Sequence, residues 1–248
     1  MTKRRVVHAI QVSAGLALLL GLISPAVAEA QVVRVSGSDT RQAVGFNLGY
    51  FAVRGEDSRT DGDVLLADLN DLAFQIGDFS GFTFGGEYLF AVSDYLEVGA
   101  GLDFYQHTVP SVYREFVDSD GTEIAQDLKL RIVPITATVR FLPVGRSGAV
   151  QPYVGAGLGI FNWRYAEFGE FVDFSDDSIF RQRYEKSGSS LGPVILAGLR
   201  APVGDFWSVG GEIRWQSAEG DDLFEDGFLD DKIDLGGWTT TFNFHFRF

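Results

Sequence analysis

The sequence contains no cysteine, few basic residues and, after the first thirty positions, no long uninterrupted apolar stretch. The absence of cysteine excludes the small secreted scaffolds that disulfides hold together. A membrane-spanning helix needs about 20 apolar residues, so a helical membrane protein is also excluded. Only 20 Lys and Arg stand against 34 Asp and Glu, which gives a net charge of −14. Nucleic acid is not expected as a partner, because its binding depends on neutralising phosphates.

The first thirty residues have the composition of an export signal. Three basic residues at positions 3–5 precede an apolar stretch over residues 12–23, and two small-x-small cleavage sites end at Ala28 and Ala30. This order of regions is typical of a cleaved signal peptide. An uncleaved anchor is the alternative, but the apolar stretch is too short to span a bilayer as a helix. We predict a signal peptide over residues 1–28, with Ala30 as the second cleavage candidate.

The chain from residue 31 to residue 248 reads as one domain of β-strands. Apolar and polar residues alternate in short segments, the pattern of strands with one apolar face. The alternation is clearest between Leu96 and Phe104, where every even position is apolar. We predict eight strands, with Pro134 marking a bulge in the fourth. The segments are residues 43–53, 81–92, 95–106, 128–142, 152–163, 191–201, 206–216 and 237–248.

The connections between these segments alternate between short and long. Eight strands with both chain ends on one side of a membrane give three connections on that side and four on the other. We therefore predict an all-β fold, an eight-stranded antiparallel transmembrane up-and-down β-barrel with long acidic extracellular loops and short periplasmic turns. The turns are residues 93–94, 143–151 and 202–205, and the loops are residues 54–80, 107–127, 164–190 and 217–236.

Alternation alone does not decide which face points outward, because a soluble up-and-down barrel would bury its apolar face. Aromatic residues cluster near both strand ends, as they do at the two interfaces of a membrane, while the opposite face carries glycine and charge. We therefore predict an integral outer-membrane protein whose apolar face contacts lipids, including lipopolysaccharide. The aromatic residues are Tyr95, Phe141, Tyr153, Trp207 and Phe248 on the short-turn side, and Tyr50, Phe82, Phe104, Trp163, Trp215 and Trp238 on the long-loop side.

Two segments carry a family resemblance. Residues 242–248 alternate phenylalanine with polar residues, and residues 134–159 contain a Pro-flanked strand followed by a glycine-rich one. Both resemble the small bacterial outer-membrane β-barrel proteins, the group of OmpW-like proteins and OmpA-type transmembrane barrels. The resemblance implies that Phe244, Phe246 and Phe248 form an assembly signal read by the barrel assembly machinery. Because the group shares a fold and a location but no single activity, it implies no particular function.

Charged residues on the polar face are candidates for a functional lumen. An eight-stranded barrel is just wide enough to be filled by side chains, and an unpaired charge there is costly to desolvate. We expect acidic and basic residues to pair with one another as a plug, and an ion or solute path is the alternative. The predicted lumen charge network is Glu87, Glu97, Asp103, Arg140, Arg200, Glu212, Arg214 and Arg247.

The four long loops contain most of the Asp and Glu residues. Clusters at residues 118–123 and 221–226 offer oxygen ligands to divalent cations, and solvated loops are the alternative interpretation. In the first loop, apolar residues recur at helical spacing behind Asp63, a candidate N-cap. This pattern predicts either a short helix over the barrel mouth or an apolar patch on its rim.

Signs of catalysis are sparse. Only His107 and His245 follow the signal peptide, and only His107 would lie near the outer leaflet, with Asp103 and Ser111 close in sequence. A lipid A-modifying activity rests on His107 alone. The glycines at residues 155–159 lie inside a strand and do not precede a helix, which argues against a nucleotide-binding loop. We predict no catalytic residue, no cofactor and no metal centre.

These observations predict a non-enzymatic protein with a structural or surface-interaction role in the cell envelope. A narrow channel or uptake path for small or hydrophobic molecules, the role that the OmpW-like resemblance implies, is the alternative.

Overall fold

The computed structural model of the protein describes residues 40–176 and 178–248, so the predicted signal peptide lies outside the described residues. Eight long strands pair antiparallel with both neighbours, and the first pairs with the last to close a barrel. The predicted eight-stranded barrel is therefore confirmed. Its strands are β1 (Gln42–Val53), β2 (Gly81–Ala91), β3 (Leu96–Val117), β4 (Glu123–Phe141), β5 (Gln151–Asp173), β6 (Ser178–Val203), β7 (Trp207–Gln216) and β10 (Gly237–Arg247).

The remaining elements are short and lie in two connections. Within the described ranges, no helix has both the length and the apolar character needed to cross a membrane. The connection from β1 to β2 contains α1 (Val64–Asp71) and 3-10 turns at Glu56–Ser58 and Ile76–Phe79; the connection from β7 to β10 contains β8 (Glu219–Gly220), a 3-10 turn at Phe224–Asp226 and β9 (Ile233–Asp234).

Side chains alternate between the two faces of the barrel wall. Along β10 every second residue is buried and the residues between them are exposed. The exposed residues, such as Phe242 and Phe244, are apolar, whereas the buried ones, such as Thr241 and Asn243, are polar. A soluble barrel would have the opposite distribution, so the outer face is suited to lipid.

β4 passes through Pro134 without a bulge, so the bulge predicted there is wrong. The register of β4 with β3 is the same on both sides of this residue, and on its other side Pro134 lies opposite Phe161 of β5. Proline lacks an N–H group. It therefore removes one ladder hydrogen bond without requiring an additional residue.

Strands β3 to β6 are 19 to 26 residues long, whereas a strand needs only about 9–11 residues to cross a membrane. Residues 107–127 and 164–190, predicted as long acidic loops, are therefore mostly β-hairpin, which corrects that prediction. Above the membrane the inward residues become apolar, as at Leu128 and Leu130, and the backbone ladder continues because it now encloses an apolar core. We name residues 105–132 and 163–190 the extracellular extension.

The other two connections fold over the barrel mouth. Asp63 Oδ1 accepts a hydrogen bond from the Leu65 N–H at 2.9 Å at the start of α1, so the predicted helix and its N-cap are confirmed. Arg59 pairs with Asp63 at 2.7 Å and donates to the Asp234 carbonyl at 3.0 Å, which ties the two connections together. We name their shared apolar core the cap. It contains Val64, Leu65, Leu72, Phe74, Ile76, Phe79, Tyr105, Val109, Leu128, Leu130, Ile132, Phe161, Trp163, Tyr165, Ala218, Leu223, Phe228, Ile233 and Leu235, among others.

Two aromatic residues predicted to face the membrane lie inside the barrel. Tyr153 and Trp163 are each 3% exposed, because the alternation of β5 directs its odd-numbered residues inward. Gly198 lies opposite Tyr153, and a Cβ atom at that position would collide with the tyrosine hydroxyl. The predicted belt residues that are exposed on the outer face are Tyr50, Phe82, Tyr95, Phe141, Trp207, Trp238 and Phe248.

Candidate functional site

Arg140 is at the centre of the ion pairs that fill the lumen. Its guanidinium lies 2.5 Å from Glu87 Oε2 and 2.9 Å from Glu212 Oε2, and Arg140 is 1% exposed. The guanidinium carbon also lies 5.0 Å from the centre of the Tyr153 ring, whose hydroxyl donates to Glu212 at 3.1 Å. One buried cation thus joins carboxylates from β2 and β7, on different sides of the barrel.

The ion pairs continue from this centre in both directions. Arg214 pairs with Asp103 at 2.5 Å and with Glu212 at 2.9 Å. On the other side, His245 Nε2 lies 2.7 Å from Glu87 Oε1. The result is an unbroken row of alternating acidic and basic groups across the lumen.

A second, smaller cluster lies toward the periplasmic turns. Arg200 pairs with Glu97 at 2.8 Å and donates to Gln151 Oε1 at 3.1 Å, and Arg146 lies 3.4 Å from the same glutamate. Arg247 does not join it through a carboxylate in the described part of the chain; it donates to backbone carbonyls of residues 204, 205 and 207. The structure therefore divides the eight predicted residues into a central group of five, a peripheral pair, and Arg247 alone.

Sequence reasoning missed four residues of these clusters. His245 and Tyr153 fall on the inward positions of their strands, so strict use of the alternation would have included them. Gln151 is also inward, but an uncharged side chain gave no signal. Arg146 lies in the turn after β4, and its approach to Glu97 depends on turn geometry that the alternation does not predict.

Little space remains within the lumen. One cavity, between the central cluster and the cap, is bordered by Asp103, Arg214 and Thr239 and has a volume of about 10 Å³. Another, near the periplasmic end beside Glu97 and Arg200, also measures about 10 Å³. Each is about the size that one water molecule requires.

The cap contains a buried pair of acidic residues. Asp68 of α1 and Glu167 of β5 are 1% and 6% exposed, and each carboxyl influences the pKa of the other. The Tyr165 hydroxyl donates to Asp68 Oδ2 at 2.9 Å. Burial raises the pKa of Glu167 to about 7, and burial together with the neighbouring Glu167 raises the pKa of Asp68 well above its usual value. The hydrogen bond from Tyr165 to Asp68 thus holds α1 against the barrel wall, next to a second buried carboxyl.

The candidate histidine site is not assembled as a catalytic group. His107 lies on the inner face of the extension opposite Leu130, while Asp103 is engaged by Arg214. The Ser111 hydroxyl has no hydrogen-bond partner among the described residues, so no histidine activates it.

The acidic clusters make local contacts. Asp118 and Asp120 accept hydrogen bonds from the backbone N–H groups of Ser119 and Thr122 in the β3–β4 turn. Asp226 pairs with Lys186 at 2.5 Å. Over residues 40–176 and 178–248, no group of three or more acidic, histidine or cysteine side chains is arranged to hold a metal ion. Divalent-cation binding stays a prediction.

The three phenylalanines of the predicted assembly signal lie on the outer face of β10 and just beyond its end. Phe244 and Phe246 pack against Trp207 with ring centroids 4.8 Å apart, and Phe246 and Phe248 are 6.1 Å apart. They form an exposed aromatic ridge at the periplasmic end of the barrel.

The family model of the outer membrane protein beta-barrel domain matches residues 14–246, and the chain therefore belongs to this family. It is an integral β-barrel protein of the outer membrane of Gram-negative bacteria. No curated protein sequence matches it.

Several solved outer-membrane proteins are similar in fold. OprG from Pseudomonas aeruginosa is 13% identical, with 84% of this chain and 96% of OprG covered and a TM-score of 0.48. Neisserial surface protein A is 14% identical, with 84% and 96% covered and a TM-score of 0.46. Outer membrane protein W from E. coli is 14% identical, with 85% and 100% covered and a TM-score of 0.38.

Proposed function

We propose that this protein is a non-enzymatic, sealed outer-membrane barrel that displays a rigid β-sheet surface outside the cell. The observation that carries the proposal is the closure of the barrel at two levels. Ion pairs centred on Arg140 fill the lumen within the membrane, and the cap covers the mouth above it.

The two closures differ in chemistry, and both oppose ion flow. The central charges neutralise one another, so an entering ion would have to break pairs whose members are already desolvated. The cap presents an apolar core, which offers no ligands to a hydrated ion. Two cavities within the lumen measure about 10 Å³ each, which is about the room that one water molecule requires.

The extracellular extension supports a surface-interaction role. β5 continues for about ten residues beyond Trp163, which corresponds to about 33 Å of strand. Toward its tip, Phe174 and Phe180 are 55% and 40% exposed. An exposed aromatic tip on a rigid hairpin is suited to contact with another macromolecule.

Conductance in a planar lipid bilayer tests the proposal. The purified full-length barrel should insert without steady conductance, and replacing residues 56–78 with a short Gly-Ser linker should leave it silent, because the lumen ion pairs remain. A general porin in the same bilayer serves as the positive control.

Robust steady conductance of the wild-type barrel, with ion selectivity altered by Arg214→Ala, would overturn the proposal in favour of a narrow channel. Conductance only after removal of the cap would also contradict it, because the lumen would then be an open path with a lid.

A further inference from the structure

Two arginines lie directly opposite each other on the outer face of the barrel. Arg131 of β4 and Arg164 of β5 are cross-strand partners, and both point outward because Leu130, Ile132, Trp163 and Tyr165 beside them are buried in the cap. Like charges in directly opposed positions destabilise a sheet. Glu185 on β6 offsets part of this repulsion, because it pairs with Arg164 at 3.1 Å.

Both arginines occupy the headgroup level of the outer leaflet. On β4 the outward residues from Phe141 to Val133 are apolar, and this stretch of about nine residues is long enough to cross the membrane. Arg131 is the next outward residue, about 7 Å further along the strand. The headgroup layer is about 5–7 Å deep on each side of the bilayer, so the guanidinium lies within it.

Basic residues outnumber acidic ones around this pair, although the whole chain has a net charge of −14. Lys129 occupies the next outward position above Arg131, and Arg183 lies on β6 nearby. Glu185 accepts from Arg164 at 3.1 Å and from Arg183 at 2.5 Å. Asp127 lies on the same outward face, above Lys129. Four cations thus face two carboxylates.

The two arginines also retain unused hydrogen-bonding capacity. The Nε atoms of Arg131 and Arg164 are buried and have no hydrogen-bond partner among the described residues. Because these Nε atoms are buried, a ligand at the outer surface would meet the Nη groups, whose N–H bonds can donate to the oxygens of a phosphate. Gln106 and Ser187 complete the row on either side.

We propose that Arg131 and Arg164, supported by Lys129 and Arg183, form a binding site for the phosphate groups of the lipid A headgroup in the outer leaflet. The phosphate adds negative charge to a cluster in which four cations face two carboxylates, and the acyl chains of the lipid continue down the apolar outer face. The site does not depend on whether the lumen conducts.

Native mass spectrometry of the folded, full-length barrel in detergent tests the site, with diphosphoryl lipid A and enzymatically dephosphorylated lipid A as probes. Wild type should bind the diphosphoryl form at least about tenfold more tightly. The double variant Arg131→Gln, Arg164→Gln should lose this preference. The matched control Arg181→Gln, Lys232→Gln carries the same change in charge at positions outside the patch and should keep it.

Three results would overturn the proposal. The first is equal binding of both lipids by wild type, and the second is wild-type preference in the double variant. The third is displacement of lipid A by millimolar inorganic phosphate, which would identify free phosphate as the ligand.

Thermal stability in lipid-free detergent distinguishes a binding role from a structural one. Removal of two opposed like charges should leave the melting temperature of the double variant equal to or above that of wild type. A clear decrease would show that the arginines stabilise the barrel itself and would contradict the proposal.

Discussion

The buried acid pair of the cap predicts that α1 loosens as the pH rises. Asp68 and Glu167 influence each other's pKa and lie beside Tyr165, with Asp63 and Tyr113 as the next titratable groups. Among the described residues, neither carboxyl forms a salt bridge with a lysine or arginine. Ionisation of both therefore leaves two uncompensated negative charges in an apolar core.

The magnitude follows from the pKa of Glu167. Its rise from 4.5 to about 7 on folding corresponds to about 3 kcal/mol of stability. Because the folded pKa is the higher one, this stability is fully present below pH 4.5 and is lost as the pH rises through 7. The loss should appear as local opening of α1 from β5, since the barrel ladder does not include this contact.

Hydrogen–deuterium exchange of peptides covering α1, corrected for the intrinsic pH dependence of exchange, measures the opening. Protection factors should be about a hundredfold lower at pH 8 than at pH 5. Glu167→Gln should reduce this difference at least tenfold, because its amide is uncharged. Glu170 lies on β5, the strand of Glu167, and forms an exposed ion pair with Arg181 of β6, so Glu170→Gln should leave the pH difference unchanged. Equal protection of wild type at both pH values would refute the reasoning.

Three further predictions concern the barrel. Arg214→Ala should lower the free energy of unfolding in lipid vesicles by about 3–5 kcal/mol, because Asp103 and Glu212 lose their partner. Arg181→Ala, at an exposed ion pair, should lower it by less than about 1 kcal/mol. If urea titrations gave similarly small changes for both variants, the buried network would be contradicted. Phe248→Ala should reduce the amount of folded protein in the outer membrane if the terminal aromatic is an assembly signal, and normal levels would argue against that role. The folded barrel should migrate anomalously in unboiled detergent gels and shift on boiling; recovery from the soluble periplasm with no shift would be the contrary result.

The strand alternation by itself determined the barrel and the inward position of its charges. Side chains repeat with a period of two, so one assigned face fixes all others along a strand, as at Glu97, Asp103 and Arg140. The two misplaced aromatics, Tyr153 and Trp163, violated this same period. The alternation alone predicts an inward position for both residues, but their location near the strand ends suggested the membrane interface instead.

The length of β3 to β6 could not be read from the same pattern. Within the membrane the apolar residues point outward, but above it water replaces lipid and the apolar residues point inward, as at Leu128 and Tyr165. This reversal of polarity interrupts the alternation of the transmembrane segments and made the extension resemble acidic loops. Only the closed barrel, with α1 and the β8–β9 ladder folded onto it, reveals what the inner face encloses.

The partners within and around the barrel were decided by tertiary structure alone. Arg200 and Glu97 are 103 positions apart and meet only because the barrel closes. Arg131 and Arg164 are opposed because the register of β4 with β5 places them so. The sequence by itself determined which residues face the lumen or the lipid, since that depends on a local period of two. Which of them touch depends on register, shear and closure, and these arise from the packing of all eight strands together.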